Sequence, residues 1–299
     1  MKRPLSHWTC LGQILLLFVF TASLSYAEEE VVVEASDVDS DSSSSGQSEQ
    51  NIESVNGLDS ERLFNAYYYA VLNGPALEDP SIYQPRLDGE KDLDRPVVLK
   101  NYLSVGYNFT DAISVAGTAF WTWQPGPGKQ FILRDPFVRV SHNSLVSFGN
   151  LNLYADLRVH FPVTTLSRES DLLAGFQTFQ VLSYEFPEAK LLVGLYGSAR
   201  TNIFGKQGVG NDWEFYLAPN INYQALPNLA VNLVYEMGAS HAFRDRTFHY
   251  TSDGTDLQPG VTWDVTPYLT LNPYLNLLPS DGIKLKNTSL GFFVSWKII

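Results

Sequence analysis

Two sets of residues in this sequence have the types and spacing that chemistry requires. The first is His142-Asn143-Ser144, followed by Asn150 and Asn152. A serine beside a histidine that a further polar group orients is the arrangement used for nucleophilic catalysis. The second set consists of charged residues spaced two apart among apolar neighbours, such as Asp156 and Arg158. Charges on the wall of a water-filled passage would sort ions and orient dipolar solutes.

The elements that must position these residues are strands, because apolar residues occupy every second position from Leu63 to the end. The clearest run is 151–161, where Leu, Leu, Ala, Leu, Val and Phe alternate with Asn, Tyr, Asp, Arg and His. This alternation predicts strands with one apolar face and one polar face. We predict twelve strands, near 62–72, 97–109, 112–124, 131–142, 149–161, 172–186, 190–202, 212–224, 229–241, 255–265, 268–277 and 287–298.

Four features favour a membrane barrel over a soluble, secreted β-sandwich. Most of the predicted strands have about 11–13 residues, well above the globular norm and close to the length of a tilted membrane-spanning strand. Charged residues inside them fall on the polar face, as a lipid-facing apolar belt requires. Aromatic residues on the apolar face cluster near strand ends, for example Trp121, Trp123, Trp213, Trp263 and Trp296. The fourth feature is the alternation of connection lengths.

Short predicted turns, at 110–111, 144–148, 187–189, 225–228 and 266–267, alternate with mostly longer loops at 73–96, 125–130, 162–171, 203–211, 242–254 and 278–286. Bacterial barrels place short turns in the periplasm and long loops outside. A sheet in lipid must also close, because an open edge leaves backbone groups unpaired. The sequence therefore predicts an all-β fold, a transmembrane antiparallel up-and-down β-barrel of about 12 strands.

Three zones are predicted along the chain. Residues 1–27 have the basic start, apolar middle and small-residue end of a signal peptide. Residues 28–60 are acidic and poor in bulky apolar residues, which predicts a disordered periplasmic segment. Residues 61–299 form the barrel. The single cysteine, Cys10, lies in the signal peptide, so the exported chain has no disulfide and no cysteine metal site. We expect no metal, no cofactor and no nucleic-acid partner.

The C-terminal strand carries a family motif. Ser289, Gly291, Val294 and Trp296 occupy the positions of the polar, glycine, bulky apolar and aromatic residues of the outer-membrane β-signal. The chain therefore resembles Gram-negative outer-membrane β-barrel proteins, although many of them finish on Phe and this one finishes on Ile298-Ile299. The resemblance implies the cell outer membrane as location. Its implied partners are the barrel assembly machinery, outer-membrane lipid and lipopolysaccharide.

A catalytic role is the weakest of three functional hypotheses. Outer-membrane phospholipase A is a twelve-stranded barrel that uses Ser, His and Asn. By this resemblance, His142 and Ser144 are the candidate catalytic residues. The Ser-Asn-Gly continuation of that family is missing here, and our topology places the segment in a periplasmic turn. A polar turn is therefore the preferred interpretation, and we predict that the protein is not an enzyme.

The polar face of the strands carries the more informative pattern. Bases come from predicted strands four to seven, and strands eight to ten offer only acids. We predict a lumen constriction formed by Arg139, Asp156, Arg158 and Glu236, with further wall charges at Lys190, Arg200, Glu214, Asp256 and Asp264. Such a lumen would pass small polar solutes. Inward tyrosines, including Tyr69, Tyr154 and Tyr274, could offer a track for rings or simply fill space.

A plugged barrel remains the alternative. The same inward charges could pair into a network that blocks passage, because buried charges in a narrow barrel must be compensated. The protein would then serve adhesion, structure or complex formation through its outer loops 73–96 and 242–254. The oligomeric state is not predicted.

Overall fold

The structure is a computed structural model that describes residues 63–78, 98–124, 130–244, 246, 248–250, 256–277, 279, 283–285 and 288–299. These residues form a closed antiparallel β-barrel of twelve main strands, as predicted. The main strands are β1 (Phe64–Ala76), β2 (Val98–Asn108), β3 (Ile113–Gln124), β5 (Phe137–Phe148), β6 (Leu151–His160), β7 (Leu172–Phe186), β8 (Leu191–Phe204), β9 (Asn211–Leu226), β10 (Leu229–Ala242), β12 (Asp256–Thr266), β13 (Leu269–Leu277) and β14 (Thr288–Lys297).

The first and last strands close the barrel. Tyr68 of β1 lies opposite Trp296 of β14 and opposite Leu103 of β2, so β1 has a partner on both sides. Two short strands extend the wall: β4 (Gln130–Leu133) pairs with β3, and β11 (Phe248–Tyr250) pairs with β10. Each remaining main strand pairs with its two neighbours in chain order.

The observed strand bounds follow the predicted ones closely, with one exception. The predicted fourth strand, 131–142, is instead β4 followed by β5, and β5 continues to Phe148. The predicted turn at 144–148 is therefore wrong. A bulge explains the error, because three residues separate His142 and Val146 while one separates their partners Ala155 and Leu153. The real turn is Gly149-Asn150, and Gly149 has a φ of 58°.

The two faces of the wall differ as the alternation requires. Large apolar side chains are exposed on the outside, among them Val105, Val140, Leu157, Ile221 and Leu233. Outward aromatics lie near the strand ends, with Trp123 42%, Trp263 45% and Trp296 52% exposed. The inside carries buried polar residues such as Ser104, Asn220 and Asn272. An apolar outside and a polar inside reverse the arrangement of a soluble globular protein, as expected for a barrel whose outer surface contacts lipid.

A short helix, α1 (Thr165–Glu169), lies in the loop between β6 and β7. Thr164 caps it by accepting a hydrogen bond from the Ser167 backbone N–H at 3.2 Å. The Asp135 carboxylate accepts hydrogen bonds from the backbone N–H groups of Val163 at 3.0 Å and Thr164 at 3.1 Å, and from the Ser167 hydroxyl. Asp135 thus ties this loop to the chain entering β5. Within the described ranges no helix has the length and hydropathy of a membrane span.

Some predictions fall on residues that the structure does not describe. The signal peptide and the acidic segment lie outside the described residues. Most of the predicted loop 73–96 also lies outside them, although Asn73 to Ala76 belong to β1. The predicted loop 242–254 is described at β11 and at a few flanking positions.

Candidate functional site: the barrel lumen

Two arginines face each other on neighbouring strands of the lumen wall. Arg139 of β5 lies directly opposite Arg158 of β6. Like charges in such a cross-strand pair repel one another, so the position needs compensation. The Nε of Arg139 has no hydrogen-bond partner within the described part of the chain. Arg139 therefore has a buried donor that the described residues leave unused.

Arg158 is compensated by Asp156 on its own strand. Its Nε donates to Asp156 Oδ1 at 2.8 Å, and its Nη2 donates to Oδ2 at 2.7 Å. Both side chains are buried, at 2% and 0% exposure. The guanidinium carbon lies 4.9 Å from the Phe179 ring centroid and 5.5 Å from that of Phe137. This bidentate pair, held between two rings, is a fixed feature of the wall.

Two carboxylates face each other on a different part of the wall. Glu236 of β10 lies directly opposite Asp256 of β12. The Tyr216 hydroxyl donates to Glu236 Oε1 at 2.7 Å, whereas Glu236 Oε2 and Asp256 Oδ1 have no partner among the described residues. Lys100 of β2 lies within electrostatic range of Glu236. The acidic pair is thus only partly compensated.

The basic and acidic pairs lie on nearly opposite sides of the barrel. Five steps around the twelve-strand wall separate β5 from β10, and five separate β6 from β12. A path halfway around a closed barrel is six steps. The residues predicted for the constriction are therefore brought onto facing walls, with Arg139 and Arg158 on one and Glu236 on the other.

The other predicted wall charges are distributed differently. Arg200 of β8 lies opposite Glu214 of β9, so this stretch of wall carries both signs. Lys190 was predicted to face inward, but it is exposed in the turn before β8, with a φ of 52°. Asp264 is exposed near the end of β12 and accepts a hydrogen bond from the Thr270 hydroxyl at 2.7 Å. Among the predicted wall charges, the like-charge pairs are therefore Arg139–Arg158 and Glu236–Asp256.

A cavity of about 240 Å³ opens at the end of the lumen where β6 leads into the α1 loop. Its lining includes Arg134, Asp135, His160, Arg200 and Glu214, together with Tyr102, Phe120, Phe137, Phe204 and Tyr216. Charged, amide and aromatic groups therefore meet in one small volume. Such a mixture suits a small polar solute with an apolar part.

Stacked aromatic rings line one side of this lumen. Tyr102 lies between Tyr69, with ring centroids 4.4 Å apart, and Phe120, with centroids 4.2 Å apart. Phe293 continues the row at 6.4 Å from Tyr69. The alternation had placed Tyr69 inside, but Tyr102, Phe120 and Phe293 were not singled out. Their inward position follows only from their place in the alternation of inward and outward residues along the strand. This alternation was the signal that could have identified them.

The His142 and Ser144 pair does not have the geometry of a nucleophile and its base. The Ser144 hydroxyl donates to Asn152 Oδ1 at 2.8 Å. The contact with His142 Nδ1 is made instead by the backbone N–H of Ser144, at 3.3 Å. The bulge in β5 accounts for this arrangement, because it turns Ser144 towards β6. These polar residues organise the strand end.

The residues predicted to form the assembly signal lie on β14, the strand that closes the barrel. Trp296 and Val294 face Tyr68 and Ala70 of β1. Gly291 lies opposite Tyr274, and a Cβ placed on Gly291 would come 2.1 Å from Cζ of that ring. The glycine of the motif therefore has a packing function in this fold, since the Tyr274 ring covers it.

Sequence comparison with family models and with curated proteins gives no match. Solved structures similar to this chain are outer-membrane β-barrel proteins. An outer membrane channel from Pseudomonas putida F1 is 16% identical, with 81% of this chain and 99% of that chain covered and a TM-score of 0.49. The KdgM porin in complex with disordered oligogalacturonate is 10% identical, with 78% and 98% covered and a TM-score of 0.43.

A third similar structure is a loop-deletion mutant of OmpT, an outer membrane protein of Vibrio cholerae. It is 8% identical, with 78% of this chain and 98% of that chain covered and a TM-score of 0.40. At these identities the likeness concerns the fold alone. Within the described residues, no three His, Cys, Asp or Glu side chains converge as a metal site.

Proposed function

We propose that the protein is a small channel of the Gram-negative outer membrane that allows passive passage of small polar solutes. In this proposal a signal peptide exports the chain, and the barrel assembly machinery inserts it through its C-terminal strand. The observation that carries the proposal is the placement of the Arg139–Arg158 pair and the Glu236–Asp256 pair on nearly opposite walls. A transverse field between them would orient dipolar solutes during passage.

The cavity supports the same proposal. It adjoins the lumen and has both Arg200 and Glu214 in its lining, so a zwitterionic or hydroxylated solute would find donors and acceptors there. The aromatic residues Tyr102 and Phe120 line the same space and would contact the apolar part of the solute. The protein needs no catalytic group for this function.

The plugged barrel is the second candidate, and one observation favours it. Arg158 and Glu236 are each only 2% exposed, which is low for side chains that line a hydrated pore. The Arg158–Asp156 pair would then stabilise a filled lumen, and the outer loops would carry adhesion or complex formation. A phospholipase role lacks support in the geometry of Ser144 and His142.

Proteoliposome swelling distinguishes the two candidates. The purified protein should let small amino acids enter faster than protein-free liposomes do, and the rate should fall steeply as the solute grows. Arg139→Glu should increase the entry of cationic relative to anionic amino acids. Lys190→Glu makes the same charge change in an exposed turn and is the matched control. Swelling no faster than in protein-free liposomes, from a folded barrel, would contradict the channel and favour the plugged barrel.

A further inference from the structure

Six buried side-chain oxygens on β10, β12 and β13 have no hydrogen-bond partner among the described residues, and four of them lie at neighbouring positions. These four are Glu236 Oε2, Asp256 Oδ1, Gln258 Oε1 and Asn276 Oδ1. Glu236, Gln258 and Asn276 are 2%, 3% and 5% exposed. Buried acceptors of this kind are normally paired, so four of them on one wall require a physical reason.

The four residues lie on three adjacent strands. Glu236 of β10 faces Asp256 of β12, and Gln258 is the next inward residue on β12. The β12–β13 register, with Leu257 opposite Leu277 and Gly260 opposite Tyr274, places Asn276 beside Gln258. The cluster therefore joins β10, β12 and β13 on the lumen face.

The charges around the cluster leave room for a cation. Glu236 and Asp256 are two carboxylates in direct cross-strand opposition, which repel each other if both are ionised. Lys100 lies within electrostatic range of Glu236, and Tyr216 donates to its Oε1. These groups compensate one carboxylate oxygen and part of the charge. Glu236 Oε2 and Asp256 Oδ1 remain without a hydrogen-bond partner within the described part of the chain.

The donor set defines the class of ligand. All four atoms are oxygens, two from carboxylates and two from amide carbonyls, and hard divalent cations prefer this combination. Calcium accepts such mixed sets in flexible geometry and completes its shell with water, whereas magnesium requires a stricter octahedron. The Gln258 amide lies within hydrogen-bonding reach of both carboxyl groups. Rotating that amide by 180° would turn Oε1 towards a cation held between them.

The same strands have a sparse backbone ladder. Between Leu257 and Asp264 of β12, the ladder to β13 has paired positions only at Leu257, Gly260, Trp263 and Asp264. Pro259 and Pro273 lie on these two strands and have no N–H to donate. A cation shared by β10, β12 and β13 would hold together this weakly paired part of the barrel.

We propose that Glu236, Asp256, Gln258 and Asn276 form a binding site for a hard divalent cation, with calcium as the best fit. The site stabilises the β10–β13 wall. It does not depend on the channel proposal, because a plugged barrel could bind the same ion.

The test uses the protein refolded into detergent micelles free of lipopolysaccharide and treated with a chelator. Calorimetric titration with CaCl₂ should give saturable binding of one ion per chain, and Tb³⁺ should show luminescence sensitised by nearby tyrosines such as Tyr216. Glu236→Gln/Asp256→Asn should weaken calcium binding at least tenfold. Calcium should also raise the Tm of the parent protein and leave that of the double variant unchanged.

Asp264→Asn is the control, because it neutralises a lumen carboxylate outside the cluster. Gln258→Leu is a second variant that keeps both carboxylates, and it should weaken binding severalfold. Absence of calcium binding by the folded parent protein would overturn the proposal, as would equal binding by the double variant. A folded barrel that shows no conductance but binds calcium would refute only the channel proposal. A conducting barrel that binds no calcium would refute only the proposed cation site.

Discussion

Removing Asp156 should destabilise the barrel much more than removing its partner Arg158. The Asp156 carboxylate accepts two charge-assisted hydrogen bonds from Arg158, at 2.8 and 2.7 Å, and is fully buried. Asp156→Asn would leave the buried Arg158 and the half-buried Arg139 opposite it without their carboxylate. Breaking a buried pair in this way costs about 3–5 kcal/mol.

Arg158→Met should cost less, about 1–2 kcal/mol, because the buried Asp156 carboxylate that it leaves behind still accepts a hydrogen bond from the Tyr154 hydroxyl at 3.1 Å. The methionine would still pack between Phe137 and Phe179, where the guanidinium now lies. Asp156 would keep a basic neighbour as well, because Arg139 lies within its electrostatic range. The loss of free energy of unfolding should therefore be at least about 1 kcal/mol larger for Asp156→Asn than for Arg158→Met.

The assay is urea-induced unfolding of the folded barrel in thin-bilayer liposomes, followed by tryptophan fluorescence. Asp264→Asn is the control and should change the free energy of unfolding by less than about 0.5 kcal/mol, because Asp264 is exposed. The reasoning would be refuted if Asp156→Asn cost no more than Arg158→Met, since Asp156 would then not be the group that compensates both arginines.

Two further predictions concern packing and the loop between β6 and β7. Gly291→Ala should destabilise the refolded barrel by about 1–3 kcal/mol through overpacking against Tyr274, whereas Gly117→Ala, whose added Cβ meets nothing within 4 Å, should be tolerated. Unfolding titrations that give equal losses for the two variants would contradict the packing function of Gly291. Asp135→Ala removes the acceptor of three hydrogen bonds that hold residues 163–167. Amide hydrogen exchange in 161–171 should then accelerate while β6 and β7 keep their protection, and unchanged exchange in the loop would contradict this anchoring.

Most of the wall was predictable from the sequence because alternation and turn residues agree along it. β7 was predicted as 172–186 and has those bounds, although Gln180 interrupts the apolar face of the strand. β5 was misplaced because a bulge shifts the alternation, and a period-two pattern has no way to represent an extra residue. The sequence from Ser144 to Phe148 therefore looked like a turn.

The candidate site was predictable only in part. Strand parity placed Arg139, Asp156, Arg158 and Glu236 on the lumen face, where the structure has them. Parity does not specify rotamers, so the pairing of Arg158 with Asp156 on its own strand could not be foreseen. The alternation also gave the wrong position for Lys190, which was predicted to face the lumen. The strand begins one residue later, and the lysine belongs to the preceding turn.

The acceptor cluster was missed for a related reason. Gln258 and Asn276 are common lumen residues, and their importance depends on the β12–β13 register and on which amide atoms lack partners. Neither can be derived from residue types. The register depends on the bulges and prolines of several strands together, and hydrogen bonding depends on the final side-chain positions.

The most direct test of the central claim is single-channel conductance of the purified protein in a planar bilayer, with the parent compared with Arg139→Glu and with Lys190→Glu. We predict stable open steps for all three proteins, with ion selectivity shifted towards cations in Arg139→Glu and unchanged in Lys190→Glu. A folded parent barrel that shows no conductance would contradict the channel, and open steps whose selectivity ignores Arg139→Glu would contradict the proposed constriction.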